Sequence, residues 1–180
     1  MPAFNRIAII GTTGSGKTTL AKQLSQYLNI EHIELDALHF TSQWQEVPDD
    51  LFRQRVQQAT NQNQWITDGN YSILRDIIWQ KADCIIWLNY SFTINFSRLV
   101  KRTFHRVIGR QELWHGNKES LKTTLSKDSI IVWFFKTYHR NRTNYPQLFA
   151  HERHKHLQVL TIAHPKNALQ QAIHFIQNKR

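Results

Sequence analysis

Residues 11–18 read Gly11-Thr12-Thr13-Gly14-Ser15-Gly16-Lys17-Thr18 and fit the spacing GxxxxGK[ST]. No other feature constrains the chain as strongly, because this loop works only between a buried strand and the start of a helix. Both flanks are present. Arg6 to Ile10 is a short apolar run (Ile7, Ala8, Ile9, Ile10) of the kind that forms a buried strand. After Lys17 the period changes, and Leu20, Leu24, Tyr27 and Leu28 recur at helical spacing, with Asn29 as the stop. Two glycines, a lysine and a hydroxyl residue at fixed separation arise by chance in under about one in a hundred chains of this size. The spacing has a chemical reason. Glycines let successive N–H groups turn inward around phosphate oxygens, and the following helix contributes its positive N-terminal end. In such a loop Lys17 holds the β- and γ-phosphates, and Thr18 offers its hydroxyl to Mg²⁺.

The alternation of short apolar runs and helical stretches continues to the C-terminus. His32 to Leu35 and Gln64 to Thr67 read as strands, Pro48 opens a helix to about Thr60, and Cys84 to Leu88 reads as a central strand. Ser91 caps a long helix, Leu157 to Ala163 is the last strand, and Pro165 opens the closing helix. Strands alternating with helices predict a parallel sheet covered on both faces, an α/β class. At 180 residues, with no repeat and no Pro/Gly-rich linker, the expectation is a single domain over 1–180.

Composition narrows the function classes. The longest strongly apolar run, Ile130 to Phe135, is six residues, far short of the about 20 that span a bilayer. The N-terminus lacks the signature of an export signal. The single cysteine, Cys84, permits no internal disulfide, which points to a cytoplasmic protein. The net charge is +10, unevenly placed: residues 1–90 hold 7 Lys and Arg against 9 Asp and Glu, residues 91–180 hold 16 against 4. That asymmetry implies an anionic partner, either a polyphosphate small molecule or a nucleic acid.

Ligands of open parallel sheets bind beyond the carboxyl ends of the strands, where Asp36 and Asp68 fall. Asp68, followed by Gly69, is the candidate beside the metal, and Asp36 the candidate beside a phosphate acceptor. The fourth strand ends in Asn89, which supplies no charge and argues against a motor or switch ATPase. Arg98, Arg102, Arg106 and Arg110 recur every four residues along one helix face. Like charges so spaced repel unless an anion meets them; Arg106 and Arg110, nearest the irregular stretch that follows, are the favoured pair. Arg140 and Arg142 form a second candidate clamp. His151, His154 and His156 read as exposed polar residues and Trp133 to Phe135 as core.

The segments GTTGSGKTT, ITDGNY and RVIGR together resemble the adenylate kinase superfamily of P-loop small-molecule kinases. LDALHF with Trp44, DGNY and ADCIIWLN resemble more closely its bacterial topology modulation branch. The resemblance implies a three-layer P-loop NTPase fold with a five-stranded parallel sheet, a helical acceptor insert at about 37–63 and a short lid at about 110–127. It implies ATP and Mg²⁺, with Gly11, Thr12, Thr13, Gly14, Ser15, Gly16, Lys17, Thr18 and Thr19 on the nucleotide and Thr18 and Asp68 at the metal. Lys17, Arg106, Arg110, Arg140 and Arg142 would serve the transfer, and Asp36, His39, Trp44, Asn70, Tyr71 and Arg75 the acceptor. One departure bears on that acceptor. Where adenylate kinases continue Asp-Gly with Phe-Pro-Arg, whose arginine binds the AMP phosphate, Asn70-Tyr71-Ser72 follow here. The acceptor is either a nucleoside monophosphate met by Arg75 or a small hydroxy compound; the alternative function is a nucleotide-dependent nucleic-acid binder or regulator without turnover.

Overall fold

The structure is a computed structural model, described here for residues 4–109, 112–117 and 129–178. Five strands, β1 (Arg6–Gly11), β2 (His32–Glu34), β3 (Trp65–Asp68), β4 (Cys84–Leu88) and β5 (Gln158–Ile162), form one parallel sheet in the order β2-β3-β1-β4-β5. The order follows from burial. β3 and β4 are buried along their whole length and β1 from Ile7 onward, so they take the middle, whereas β5 with its exposed Gln158 and Thr161 forms an edge.

Alternate residues of β1 divide the molecule into layers, since successive strand side chains point to opposite faces. Ile7 and Ile9 join Ile66 and Ile86 beneath α1 (Lys17–Leu28) and the last helix, through Leu20, Leu24, Ala172 and Ile176. Ala8 and Ile10 join Trp65, Ile85 and Trp87 on the other face. That face is covered from α3 (Asp49–Ala59) by Phe52 and Val56, and from α4 (Arg75–Lys81) by Ile78 and Trp79. Tyr145 from α6 (Ile130–Ala150) closes it. The short α2 (Leu35–His39) follows β2 directly. A third cluster, Leu99, Phe134 and Tyr138 with Phe92 and Phe96, joins α5 (Phe92–Ile108) to α6.

Three sequence expectations need correction. The closing helix, α7 (Ala168–Gln177), begins three residues after Pro165, because Asn167 sits at φ 61 and Ala168 N–H closes a turn on the Pro165 carbonyl. Of Trp133 to Phe135 only Phe134 is core; its neighbours are 55% and 53% exposed, since three successive helical residues sweep too wide an arc to face one way. Ser91 occupies the N-cap position of α5, but its hydroxyl meets Thr93 Oγ1 rather than a helix N–H.

Candidate active site

The loop after β1 is drawn in by contacts that leave no room for side chains. Gly14 has φ 80, and a Cβ there would stand 2.8 Å from the Asn95 carbonyl oxygen and 2.9 Å from Leu99 Cβ, so α5 packs directly on the loop. At Gly16, φ 92, a Cβ would meet Arg98 Nη2 at 2.7 Å, and Arg98 Nε donates to the Gly14 carbonyl at 3.3 Å. Lys17 Nζ donates to the carbonyls of Gly11 at 2.9 Å and Thr12 at 3.4 Å. Burial pulls its pKa below the usual lysine value, against the opposing pull of Asp68 and Asp36, and the Arg102 charge lowers it further. A cation so placed has too little negative charge around it, which favours an incoming anion.

Asp68 ends β3 and is 6% exposed. Its Oδ2 accepts from Thr18 Oγ1 at 2.6 Å and its Oδ1 from His32 Nε2 at 2.8 Å; a carboxylate only accepts, so Nε2 carries the proton. Asn70, two residues on, fixes the turn by accepting from Gly11 N–H at 3.1 Å and donating to the Gly11 carbonyl. Asp36 opens α2 just beyond β2, and Tyr71 Oη donates to its Oδ1 at 2.7 Å. Burial raises the Asp36 pKa, as does the Asp68 charge, against the Tyr71 hydrogen bond and the charges of Lys17 and His39. The Tyr71 phenol is pushed up in turn by burial and by Asp36.

Next to this pair His39, 7% exposed, lies among the rings of Phe40, Phe52 and Tyr71 at 4.8, 4.5 and 4.9 Å. Its Nδ1 is buried without a hydrogen-bond partner among the described residues, and Nε2 lies 3.7 Å from Glu46. Trp44 stands over Phe40 at 5.5 Å.

Residues 112–117, within the expected lid, dock onto this region. Trp114 Nε1 donates to Glu34 Oε2 at 2.9 Å and His115 Nε2 meets the Ala37 carbonyl at 3.1 Å. Asn117, 3% exposed, donates to the Thr41 carbonyl at 2.7 Å and accepts from Trp44 N–H at 2.8 Å.

Of the residues expected at the site, the structure brings together the loop, Lys17, Thr18, Asp68, Asn70, Tyr71 and Asp36, with His39 and Trp44 beside them. Thr19 is exposed on α1. Arg75 lies over the Trp79 ring at 5.5 Å. Arg140 lies over Trp133 at 6.0 Å, and Arg142 donates to the Tyr90 carbonyl at 3.1 Å and to Tyr138 Oη at 2.8 Å. Arg106 is half-buried on α5, and Arg110 lies outside the described residues. Sequence reasoning passed over His32, Trp114 and Asn117. For His32 there is one faint signal, a polar residue alternating with the buried Ile33 in a short strand.

The residues fit both groups that such a loop implies. Thr18 Oγ1 and Asp68 are hard oxygen donors of the kind Mg²⁺ takes, Lys17 is held by burial below its usual pKa despite Asp68 and Asp36, and Ser15 Oγ is buried with no hydrogen bond among the described residues.

Residues 7–89, from β1 to the end of β4, match the family described as "ATPase family associated with various cellular activities (AAA)". No curated protein matches the sequence. Among solved structures, a shikimate kinase from Bacteroides thetaiotaomicron aligns with TM-score 0.60 at 15% identity, covering 98% of this chain and 100% of that one. A gluconokinase from Sinorhizobium meliloti 1021 aligns with TM-score 0.55 at 17% identity, over 94% and 89%. A shikimate kinase from Aquifex aeolicus aligns with TM-score 0.54 at 14% identity, over 93% and 92%. This is a P-loop kinase-like fold. Just past the ends of β1, β2 and β3, Lys17, Asp36 and Asp68 come close enough for their charges to act on one another. No helix among the described residues is long and apolar enough to cross a membrane.

Proposed function

We propose that the protein is an ATP-dependent phosphotransferase acting on a small hydroxylated acceptor, a nucleoside monophosphate or a small hydroxy compound. The observation that carries this reading is Asp36: a half-buried carboxyl just past a sheet strand, held by Tyr71, close enough to Lys17 and Asp68 for the three charges to act on one another. A site that only bound nucleotide would need no second carboxyl with a raised pKa facing the lysine.

On this reading the main chain of Gly11 to Thr18 and the Lys17 ammonium bind the triphosphate. Thr18 and Asp68 would hold Mg²⁺, which when bound neutralises charge on the phosphates. Asp36 accepts the acceptor's hydroxyl proton, and its raised pKa makes it a stronger base than an exposed aspartate. Tyr71 keeps that carboxylate aimed. The ring cluster of His39, Phe40, Phe52 and Trp44 walls the acceptor, with segment 37–63 as the acceptor insert and 110–127 as the lid. The lid's described residues keep water from the crevice by docking on Glu34, Ala37 and Thr41. Arg98 and Arg102 reach the loop side from the stripe on α5; Arg106, Arg110 and Arg140 are the further candidates to meet the transferring phosphoryl group. The segments LDALHF, DGNY and ADCIIWLN support a kinship with the topology modulation branch of adenylate-kinase-related proteins.

The test is ATP consumption with Mg²⁺ against a panel of nucleoside monophosphates, sugars and hydroxy acids. At least one compound should raise turnover well above the ATP blank, and Lys17→Ala should lower that turnover about 10³-fold while the circular dichroism spectrum is unchanged. No stimulation by any panel member, or full turnover by Lys17→Ala, overturns the proposal.

A further inference from the structure

We propose a second anion site, for the phosphate group of a small phosphomonoester, in a surface groove of about 490 Å³ between α3, α4 and the C-terminal end of α6. Its walls carry three arginines, Arg53, Arg75 and Arg153, with the His151 and His154 rings beside them, against a single acid, Asp76. That acid is already satisfied. Arg53 meets both Asp76 oxygens and also donates to the Ile73 carbonyl, which fixes one rim of the groove.

Arg75 and Arg153 are left with no carboxylate partner among the described residues; the neighbouring Glu152 pairs instead with Lys155 at 2.6 Å. Two cations in one concavity repel, and the arrangement is stabilised by an anion between them. The floor is preorganised. Arg75 is laid over Trp79, a geometry that leaves its in-plane N–H donors open. The same ring meets His154 at 5.0 Å, and His154 is anchored through Nδ1 to the Leu148 carbonyl at 2.7 Å. Two guanidinium forks suit the several oxygens of a phosphate better than the two of a carboxylate. The volume exceeds a phosphate ion and leaves space for the body of an ester. Of these residues only Arg75 also lines the small cavity beneath Asn70 and Tyr71, so the groove is separate from the phosphate loop.

The experiment is calorimetric titration of inorganic phosphate, and separately of glucose 6-phosphate, into the full chain carrying Lys17→Ala, which disables the loop. One site should remain, and adding Arg153→Glu should weaken it roughly tenfold or more, the effect expected of one lost charge-assisted contact and a reversed charge. Tighter binding of the ester assigns the remaining groove to the ligand's body; equal binding assigns the site to the phosphate group alone, and either supports the proposal. Absence of binding in the Lys17→Ala chain, affinity unchanged by Arg153→Glu, or equal competition by chloride at matched ionic strength overturns it. Arg153→Glu alone should leave ATP turnover intact, so failure here is distinguishable from failure of the phosphotransferase reading.

Discussion

The crevice has two sides built from different material. On the loop side the groups that face a nucleotide come from the main chain over eight consecutive residues, with even Lys17 tied to the carbonyls of Gly11 and Thr12. Across from it, everything rests on side chains drawn from remote places. Tyr71 holds Asp36 across 35 residues, Trp114 reaches Glu34 across 80, and Asn117 reaches Thr41 across 76. A main-chain site needs only glycines where side chains would intrude, and tolerates change around it. A side-chain site exists only when distant pieces have docked, so its identity is free to vary while the loop stays fixed. That difference explains how one fold pairs a constant donor with many acceptors.

The comparison breaks most sharply at Asp36, the side-chain group that meets the loop's charge. Asp36→Asn keeps the shape and an acceptor for Tyr71 but removes the proposed base, and turnover should fall by about 10²–10⁴. Stability should move the opposite way. Because burial raises the folded-state pKa of Asp36, its contribution to stability is fully present below the unfolded pKa and is lost as pH rises through the folded one. At neutral pH the charged form is a liability, so Asp36→Asn should melt higher, by roughly 2–4 °C. Melting curves from pH 4 to 8 on both chains test the sign; wild type should lose ground to the variant as pH increases. Turnover of the wild type should rise over the same interval, above the usual carboxylate range. A variant that melts lower at pH 7 would show that the Tyr71 hydrogen bond and the Lys17 charge outweigh the cost of burial, and would overturn the predicted sign.

His32 gives the next largest effect, on the loop's own side. It is the side chain that fixes Asp68, so it tests whether that half is built from main chain alone. His32→Ala should raise the Mg²⁺ concentration for half-maximal turnover roughly tenfold, and direct Mn²⁺ titration of the protein should show the same loss. His32→Gln, which restores an N–H donor, should recover part of it. Equal metal affinity in all three chains would confine His32 to packing.

The uneven legibility of the sequence follows the same division. The phosphate loop and β4, predicted and found at Cys84–Leu88, are written in contiguous residues. The His32–Asp68 contact depends on β2 lying beside β3 with Glu34 level with Asp68, and nothing in the spacing of either strand states that register. The arginine stripe shows a subtler limit. Its four-residue period is correct, but periodicity gives a face and no position along it. The irregular stretch beside them makes Arg106 and Arg110 the pair the sequence favours. In the structure the first turns of α5 pack on Gly14, so Arg98 contacts the loop and the Arg102 charge reaches Lys17. Arg106 lies two turns further along, about 12 Å by helical rise. Trp114 and Asn117 were unreadable for the reason given above: their partners are more than 70 residues away.

Asn117 offers the smallest and most specific test. Its amide makes two hydrogen bonds to main chain around Thr41 and Trp44, whereas its own carbonyl accepts from Leu113 N–H at 2.7 Å and survives any substitution. Asn117→Ala therefore cuts the link between the docked segment and the acceptor side without dismantling the segment's turn. The expected cost is about 1–2 kcal/mol of docking, read as a roughly 5–30-fold rise in KM for the acceptor found by the panel, with kcat and the KM for ATP unchanged. Amide exchange at Trp44 should accelerate in parallel, since its N–H loses its partner. If exchange accelerates while the acceptor KM holds, the segment packs against the acceptor side without shaping it. A rise in the KM for ATP instead would mean that the two sides are coupled through α5, and the division between a main-chain half and a side-chain half would fail at that helix.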